Sequence, residues 1–544
     1  MNDKATLEKS DLVLSRASKT LLVADTLADE GIQFLKRQTG IKTDVRAGLS
    51  EDELCQVIAD YDAVIVRSAT KITRKILDAS THLQVIGRAG IGVDNIDIDH
   101  ATERGVVVLN TPDANATTTA ELTIAHLLSL SRHLPSADRS VRAGEWRPTS
   151  FIGTELADKT IGIVGFGTIG RMVASRCIGL NMHVVAYDPF VTEEIFEDHS
   201  IKSVELDELL KYADYVSLHC PVTDKTRGFI NQKRLALMKP SARLINCARG
   251  DLIDEEALHD ALANGRLAGA ALDVFLCEPP KDSPLLSLGN VVFTPHLGAS
   301  TREAQSAVGV AIASQVVSFL NTGSAIGAIN LPRIAIEDLP KIKPYINLAQ
   351  RLGKLLASLS EQPPNVIEVT LMGRAIEFDP HLIAVEVLVG LLGHVLSVPV
   401  NQVNAPRLAH RQGISVMESR SDQVQEYSTL IQVTAKTHEA QITLKGTLFG
   451  EGKPRIVQID EYEVEVVPEG TLLFTRHEDR PGVVGAIGAI LGAAKVNISR
   501  MQIGVSASNS LSIGILGIST PLDQNTLDQI KEIPAIQRLY QLTL

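Results

Sequence analysis

Thr160-Ile-Gly-Ile-Val-Gly165-Phe-Gly167-Thr-Ile-Gly170-Arg171, followed by His183-Val-Val-Ala-Tyr187-Asp188, decides how this chain folds. A β-branched run leads into G-x-G-x-x-G, an apolar stretch with helical spacing follows, and a second strand-like run ends on an acid. In that order the residues form a strand–turn–helix–strand unit suited to a dinucleotide. Gly165 permits the tight turn, Gly167 lets the backbone approach a pyrophosphate, and Gly170 lets the helix pack close to the strand. The N–H groups at the helix start, with the positive end of its dipole, hold phosphates there. Asp188 stands roughly twenty residues past the first glycine, where a carboxylate accepts both ribose hydroxyls and repels a 2′-phosphate. That favours NAD over NADP.

The same pattern extends outward on both sides. Leu21-Leu-Val-Ala24, Ala63-Val-Ile-Val66, Val85-Ile86 and Val106-Val-Val-Leu109 are short apolar runs alternating with helical stretches, as parallel strands covered on both faces require. Asn110-Thr-Pro-Asp-Ala-Asn115 is turn chemistry and a candidate crossing between lobes, and a helix-like run spans Thr119 to His133. Further βα units follow at Tyr215-Val-Ser-Leu218, Arg243-Leu-Ile-Asn246, Gly269-Ala-Ala-Leu-Asp273 and Val291-Val-Phe-Thr294. The expected class is α/β, with two flavodoxin/Rossmann-like parallel-sheet lobes, the first interrupted by the second. Residues 19–115 and 312–330 are assigned to the first lobe, a substrate-binding one, and 116–311 to the NAD-binding lobe.

After Pro332 the texture changes. Leu348, Leu352, Leu355 and Leu359 mark one helix face, Ile367, Val369 and Leu371 alternate with polar residues, and β-like segments fill Thr429 to Val467. Residues 331–468 therefore read as an α+β intervening domain. The last stretch, 469–544, reads as βαββαβ, the ferredoxin-like arrangement: strands at Leu472–Phe474, Val496–Val505, Leu511–Ile518 and Ile536–Leu542, helices to Ala494 and from Thr526 to Ile533.

Bulk properties bound the function. At 544 residues the chain needs several cores. Its net charge of −12 argues against nucleic-acid binding, which calls for a basic face. The longest apolar run, Leu382 to Val398, carries Glu386 and His394 and is too short and polar to span a bilayer, so no membrane partner is expected. Cys55, Cys177, Cys220, Cys247 and Cys277 are odd in number and lack metal-ligand spacing, which suits a reducing compartment without structural disulfides or a bound metal. Residues 1–18 hold no sustained apolar stretch and read as a flexible extension, and the expected location is the cytoplasm.

Three charged residues lie downstream of the glycine fingerprint, each in a loop at the carboxyl end of a strand: Arg249, Glu278 and His296. Ligands of open α/β sheets bind outside those ends. Oxidising a secondary alcohol needs a base for the hydroxyl proton, and a neutral His296 suits it; a carboxylate partner such as Glu278 orients the ring and stabilises the imidazolium. Arg249 can grip a substrate carboxylate and polarise the forming carbonyl. Alone, each has a plain alternative: a loop histidine, a surface Glu-Pro-Pro turn, a solvated Arg-Gly-Asp bend. Their occurrence in three successive loops turns the reading to catalysis. In the first lobe Arg67, Ser68 and Lys71 form a donor-rich loop, Gly90-Ile91-Gly92 exposes backbone N–H groups able to hold a carboxylate, and Arg88 and Arg147 add charge. A phosphorylated substrate accounts for this surplus.

These residues fall in segments that resemble the D-isomer-specific 2-hydroxyacid dehydrogenase family: Val66-Arg-Ser-Ala-Thr-Lys71, Gly87-Arg-Ala-Gly-Ile-Gly-Val-Asp-Asn95, Asn110-Thr-Pro, Gly165-Phe-Gly-Thr-Ile-Gly170, Asn246-Cys-Ala-Arg-Gly250, Ala271-Leu-Asp-Val-Phe275, Glu278-Pro and Pro295-His-Leu-Gly-Ala-Ser-Thr301. The resemblance covers roughly residues 20 to 330. It implies catalysis by Arg249, Glu278 and His296. It implies cofactor contacts from Gly165, Gly167, Thr168, Ile169, Gly170, Asp188, Cys220, Cys247, Ala248, Arg249, Asp273, His296, Leu297, Gly298 and Ala299, with Asp273 on the nicotinamide carboxamide. Substrate contacts are expected from Arg67, Ser68, Gly90, Ile91, Gly92, Arg249 and His296. The implied reaction is NAD-dependent oxidation of D-3-phosphoglycerate to 3-phosphohydroxypyruvate, the first step of serine synthesis, by a homo-oligomer, dimer or tetramer. The alternatives are another D-2-hydroxyacid reductase acting on glyoxylate or hydroxypyruvate, and a non-catalytic NAD-sensing protein.

The final domain resembles an ACT domain at His477-Glu-Asp-Arg-Pro-Gly-Val-Val-Gly485 and Lys495-Val-Asn497-Ile. There His477, Asp479 and Asn497 are the candidate effector residues, with Asp479 read as a helix cap and L-serine as the implied effector; a purely oligomerising module is the alternative. The middle domain resembles the intervening domain of the long-chain members, with Arg407, His410, Arg411 and Arg455 as a candidate anion site or a solvated basic face.

Overall fold

Four β-branched or leucine-rich stretches near the start have every side chain shielded from water, which only a sheet covered on both faces allows. In the structure, a computed structural model describing residues 18–112, 114–332, 338–422, 426–450, 452–506 and 510–544, these form a parallel sheet. It contains β1 (Lys19–Val23), β2 (Ile41–Val45), β3 (Ala63–Val66), β4 (Val85–Arg88) and β5 (Val107–Leu109) in the order β2-β1-β3-β4-β5. Two apolar layers cover it, one around Leu21, Ile65, Ile312 and Val316, the other around Leu22, Val64, Ile76 and Ile86. The expected extension, 1–18, lies outside the described residues save Ser18.

The 21-residue helix Arg302–Thr322, capped by the Thr301 hydroxyl on the Ala304 N–H, completes the first lobe. Its Ile312 and Val316 lie over Gly87, where a Cβ would come within 2.9 and 2.7 Å of them. The expected boundary between 311 and 312 falls inside this helix. Gly309 already packs on Leu27 and Ala28, so the chain is back on the first lobe by residue 309. This helix is long and apolar enough to cross a membrane by length and composition, and its apolar side forms part of this core.

The second sheet is also parallel: β6 (Thr160–Val164), β7 (His183–Tyr187), β8 (Lys202–Ser203), β9 (Tyr215–Leu218), β10 (Arg243–Asn246), β11 (Gly269–Leu272) and β12 (Val291–Phe293), in the order β12-β11-β10-β9-β6-β7-β8. The order reverses between β6 and β9. The crevice at that switch point is where a ligand binds in such sheets. Helix Ala116–Arg132 packs on β10, β11 and β12 and on the Thr168–Gly179 helix.

Beyond residue 338 the mixed sheet β14-β13-β15-β16-β17-β18 holds β13 (Val366–Gly373), β14 (Ser415–Ser421), β15 (Thr429–Lys436), β16 (Gln441–Phe449), β17 (Lys453–Ile459) and β18 (Tyr462–Val466). Only β13 and β14 pair in parallel. Helices Leu339–Leu359 and Pro380–Val395 lie on it, in near-backbone contact because a Cβ at Gly353 or Gly390 would sit 2.0 Å from the other helix's carbonyl oxygen. The last unit has β19 (Thr471–Glu478), β20 (Ile498–Val505), β21 (Leu511–Ile518) and β22 (Ile536–Thr543) in the order β20-β21-β19-β22, all antiparallel. Helices Val483–Ala493 and Gln524–Lys531 complete its βαββαβ order. Leu473, Leu516 and Ile518 face those helices, while Leu472, Phe474, Ile513, Ile515 and Leu542 join the core of the mixed-sheet unit.

Candidate active site

The fingerprint glycines occupy the positions that their chemistry demands. Gly165 has φ +96°, and a Cβ there would meet the His219 carbonyl at 2.6 Å. Gly170 lies so close to the strand end that a Cβ would come 2.1 Å from the Gly165 oxygen. A Cβ on Gly167, by contrast, would have nothing within 4 Å, which leaves the start of helix Thr168–Gly179 open. No side chain caps that helix start, so its first N–H groups and dipole can receive a pyrophosphate. Asp188, just past β7, accepts hydrogen bonds from the Phe166 N–H at 2.8 Å and the Phe190 N–H at 2.9 Å. Its remaining lone pairs can take ribose hydroxyls. The donor set fits a dinucleotide.

Asp273, the residue after β11, is fully buried. Its carboxylate accepts from the Thr294 hydroxyl at 2.5 Å and from the Leu297 and Gly298 N–H groups at 2.7 and 2.9 Å. His126 adds a 2.9 Å contact to the same hydroxyl. In this structure Asp273 thus caps the loop that carries His296. Cys220 and Cys247 flank the crevice as thiols, raised by burial to about 11 and about 12.

His296 adopts φ +55°, a left-handed conformation rare for a side chain of this size. The cost is met by the loop around it: the His296 N–H donates to the Asp273 carbonyl at 2.9 Å. Its Nδ1 lies 2.7 Å from Glu278 Oε2, and the two side chains remain 47% and 38% exposed, which keeps them open to a ligand. Burial alone would raise Glu278. The His296 hydrogen bond and charge, the Phe275 N–H and the Arg249 charge together outweigh it, and the carboxyl sits below its ordinary value. Glu278 is therefore ionised at neutral pH, and its contribution to stability, present above the ordinary carboxylate range, is lost as pH falls through the lowered value.

Arg249 crosses from the second lobe to the first. Its Nε donates to Asp94 Oδ2 at 3.0 Å, and its guanidinium so nearly touches Gly92 that a Cβ there would lie 1.6 Å from Nη2. Arg88 does the same at Gly90, also 1.6 Å. Burial pushes Arg88 down to about 10, with the nearby Arg249 charge second, and its Nε is buried without a partner. The Arg67–Lys71 loop is shaped by the buried Asp25, which accepts from the Arg67 and Thr70 N–H groups at 2.9 and 3.0 Å, and by Asn95, which donates to the Arg67 and Thr70 carbonyls. Ser68 and Lys71 are exposed at its rim.

Some expectations change. The Gly90 N–H is not free for a carboxylate, because it donates to the Arg88 carbonyl at 2.9 Å. Asp94, Asp25 and Asn95 were not singled out in the sequence, although Asp25 occupies the carboxyl end of β1, a position that could have pointed to it. Arg407 and Arg411 form neither an anion site nor a free basic face: they pair with Asp99 at 3.0 Å and Glu103 at 2.7 Å of the first lobe. Asp479 does not cap helix Val483–Ala493, whose N-cap is Gly482 at φ +96°. His477, buried and lowered by desolvation, sits beside Ser512, whereas Asn497 pairs with Ser519 at the far end of β21, roughly 20 Å along the strand. One chain does not gather the three.

Comparison with known proteins follows the same division. Residues 124–298 match the family described as D-isomer specific 2-hydroxyacid dehydrogenase, NAD binding domain, residues 341–460 the D-3-phosphoglycerate dehydrogenase intervening domain, and residues 471–535 the ACT domain. A D-3-phosphoglycerate dehydrogenase of Methanocaldococcus jannaschii is 40% identical over 96% of this chain and 99% of its own length. One from a Synechocystis species is 40% identical over 96% and 94%. A solved glyoxylate reductase from Paecilomyes thermophila is 30% identical with a TM-score of 0.53, covering 57% of this chain and 98% of its own.

Proposed function

The chain belongs to the D-3-phosphoglycerate dehydrogenases, within the D-isomer-specific 2-hydroxyacid dehydrogenases, and from that premise we propose how its cleft oxidises D-3-phosphoglycerate to 3-phosphohydroxypyruvate, the first step of serine synthesis. It is an NAD-dependent oxidoreductase. The Gly165–Gly170 turn would hold the pyrophosphate of NAD and Asp188 its ribose, and the bound cofactor would supply the acceptor for the C2 hydride. The observation that carries the reading is the His296–Glu278 pair at 2.7 Å, next to an arginine that reaches across to the first lobe.

With Nδ1–H directed at Glu278, Nε2 of His296 is left unprotonated and takes the C2 hydroxyl proton. Glu278 fixes that tautomer and steadies the imidazolium that results. Arg249 leaves Asp94 for the substrate carboxylate and polarises the C2 oxygen. Arg67 and Arg88, with Ser68 and the Ile91–Gly92 backbone, receive the rest of the anion. Closing the two lobes excludes water and brings the reacting atoms into contact. NADH formation with D-3-phosphoglycerate, run beside D-glycerate and glycolate, tests this; equal rates on the unphosphorylated acids would instead mark a general 2-hydroxyacid reductase.

Two substitutions probe the assignments. Arg67→Ala is expected to raise KM for D-3-phosphoglycerate more than tenfold while leaving D-glycerate unchanged; parallel losses on both would remove Arg67 from the phosphate. Asp188→Ala removes the charge that repels a 2′-phosphate, so the NAD:NADP ratio of kcat/KM should fall at least tenfold. A variant that still rejects NADP would end that role.

The functional form is a homo-oligomer in the cytoplasm. Leu134, Val141, Trp146 and Ile152 are 52%, 57%, 83% and 80% exposed, an apolar surface of the kind that a second copy covers, and the five free cysteines suit a reducing compartment. L-Serine is the effector at the final domain. Because His477 and Asn497 stand at opposite ends of the sheet, a complete site needs residues from a second copy.

A further inference from the structure

Arg249 reaches from the second lobe into the first, and the partner it meets there, Asp94, is itself a carboxylate. The edge of the guanidinium that it presents matters. Arg249 Nη1 donates to the Ala248 carbonyl at 2.7 Å, which leaves Nε and Nη2 as the fork for a bidentate carboxylate. Asp94 already stands on that edge, with Oδ2 3.0 Å from Nε. Gly92 shows how closely the two approach the backbone: a Cβ there would lie 1.6 Å from Arg249 Nη2 and 2.9 Å from Asp94 Oδ2.

The charges around this pair explain why an acid sits there. Arg88, lowered first by burial, is further opposed by the charges of Arg249 and Arg67 and supported by those of Asp94 and Asp25. Cations brought this near repel one another, and more strongly where water is excluded. Asp25 is a fixed counter-charge, 8% exposed and tied to the Arg67 and Thr70 N–H groups. Asp94 is a movable one. Its side chain is 72% exposed against 27% for Arg249, so it can swing into water without leaving a buried charge behind.

We propose that Asp94 is a positioning residue that stands in for the substrate: its carboxylate holds the Arg249 fork in place while the cleft is empty, competes with the substrate carboxylate for that fork, and is displaced when the substrate binds. This rests on the reading of Arg249 as the arginine that grips the substrate carboxylate. The pair orders a long side chain in advance, and its cost falls on affinity. Because the contested group is the carboxylate common to every 2-hydroxy acid, the competition is the same with or without a phosphate. An ion pair this exposed shifts a binding equilibrium by about two- to fivefold.

The test is Asp94→Asn in the full-length protein, read by calorimetric titration of its NADH complex with oxamate, a monocarboxylate that is not turned over, and by KM and kcat for D-3-phosphoglycerate. The oxamate Kd and the KM should both fall about two- to fivefold. The kcat should stay level or drop, because the product leaves the same arginine. Asp94→Glu should return both constants to wild-type values. A role confined to holding the loop together predicts the opposite, a rise in both constants with a lower melting temperature. Either constant unchanged or raised in Asp94→Asn would overturn the proposal. So would a gain several times larger for the trianionic D-3-phosphoglycerate than for oxamate, which would mark long-range repulsion instead of competition for Arg249. Failure of the wild type to oxidise D-3-phosphoglycerate would count against the functional reading, and the oxamate comparison would still decide the part played by Asp94.

Discussion

Replacing His296 with Asn should lower kcat by about 10²- to 10⁴-fold, the range for loss of a positioned general base, with little change in NAD affinity. Asparagine preserves size and polarity but cannot accept the proton at neutral pH. The partner variant Glu278→Gln separates base from brace. Glu278 is ionised at neutral pH, because its contacts with His296, Phe275 and Arg249 outweigh burial. Removing that negative charge makes a protonated ring at 296 less favourable, so the acid limb of the kcat/KM profile should move to lower pH while kcat falls. Stopped-flow NADH production across pH 5 to 9 reads both. Unchanged turnover in His296→Asn would remove the base. An acid limb that moves upward in Glu278→Gln would show that the two groups do not share charge.

Gly250→Ala should cost nearly as much activity without removing any charged group. A Cβ at position 250 would lie 2.0 Å from the Phe275 carbonyl carbon and 2.5 Å from the Leu276 nitrogen. Those are backbone atoms and cannot rotate away. The methyl must push apart the loop that carries Arg249 and the loop whose Phe275 N–H donates to Glu278 at 3.2 Å. A shift of about 1 Å at reacting groups can cost around 10²-fold in rate, and overpacking of this kind costs about 1–3 kcal/mol of stability. Gly289→Ala is the control, since a Cβ there has nothing within 4 Å. Circular dichroism melting beside steady-state kinetics separates the effects. Wild-type kcat in Gly250→Ala would mean that the two loops move independently of the chemistry.

What could be read in the chain depended on how local each signal is. The fingerprint turn is local: Gly165, Gly167 and Gly170 each have a steric reason visible at one spacing, and the structure gives each that environment. The βαββαβ unit was legible because its strands alternate with short helical runs. β2 escaped notice because Ile-Lys-Thr-Asp-Val is an edge strand with only Ile41 buried, so its pattern does not stand out from a loop. Helix Pro380–Val395 is apolar nearly all round, with Ile383 to Leu388, Leu391 and Leu392 all buried, and so shows no amphipathic period. Arg249 and Asp94 are 155 residues apart in sequence, and no periodicity connects them. The same holds for Arg407 and Arg411: their basic character is plain in the sequence, while the acids that claim them, Asp99 and Glu103, lie some three hundred positions earlier.

Helix Arg302–Thr322 sets an order of events during synthesis. Its Ile312, Val316 and Val317 close one side of the sheet formed by β1 to β5, so that side stays open to water until residue 322 has left the ribosome. The second lobe, by contrast, holds its strands and its covering helix within 116–293, and it can reach its final form while the first remains half-built. A nascent chain stalled between those points would expose the apolar face around Leu21, Ile65 and Val85. At about 5–20 residues per second that exposure lasts tens of seconds, long enough for a holdase chaperone to recognise the waiting half.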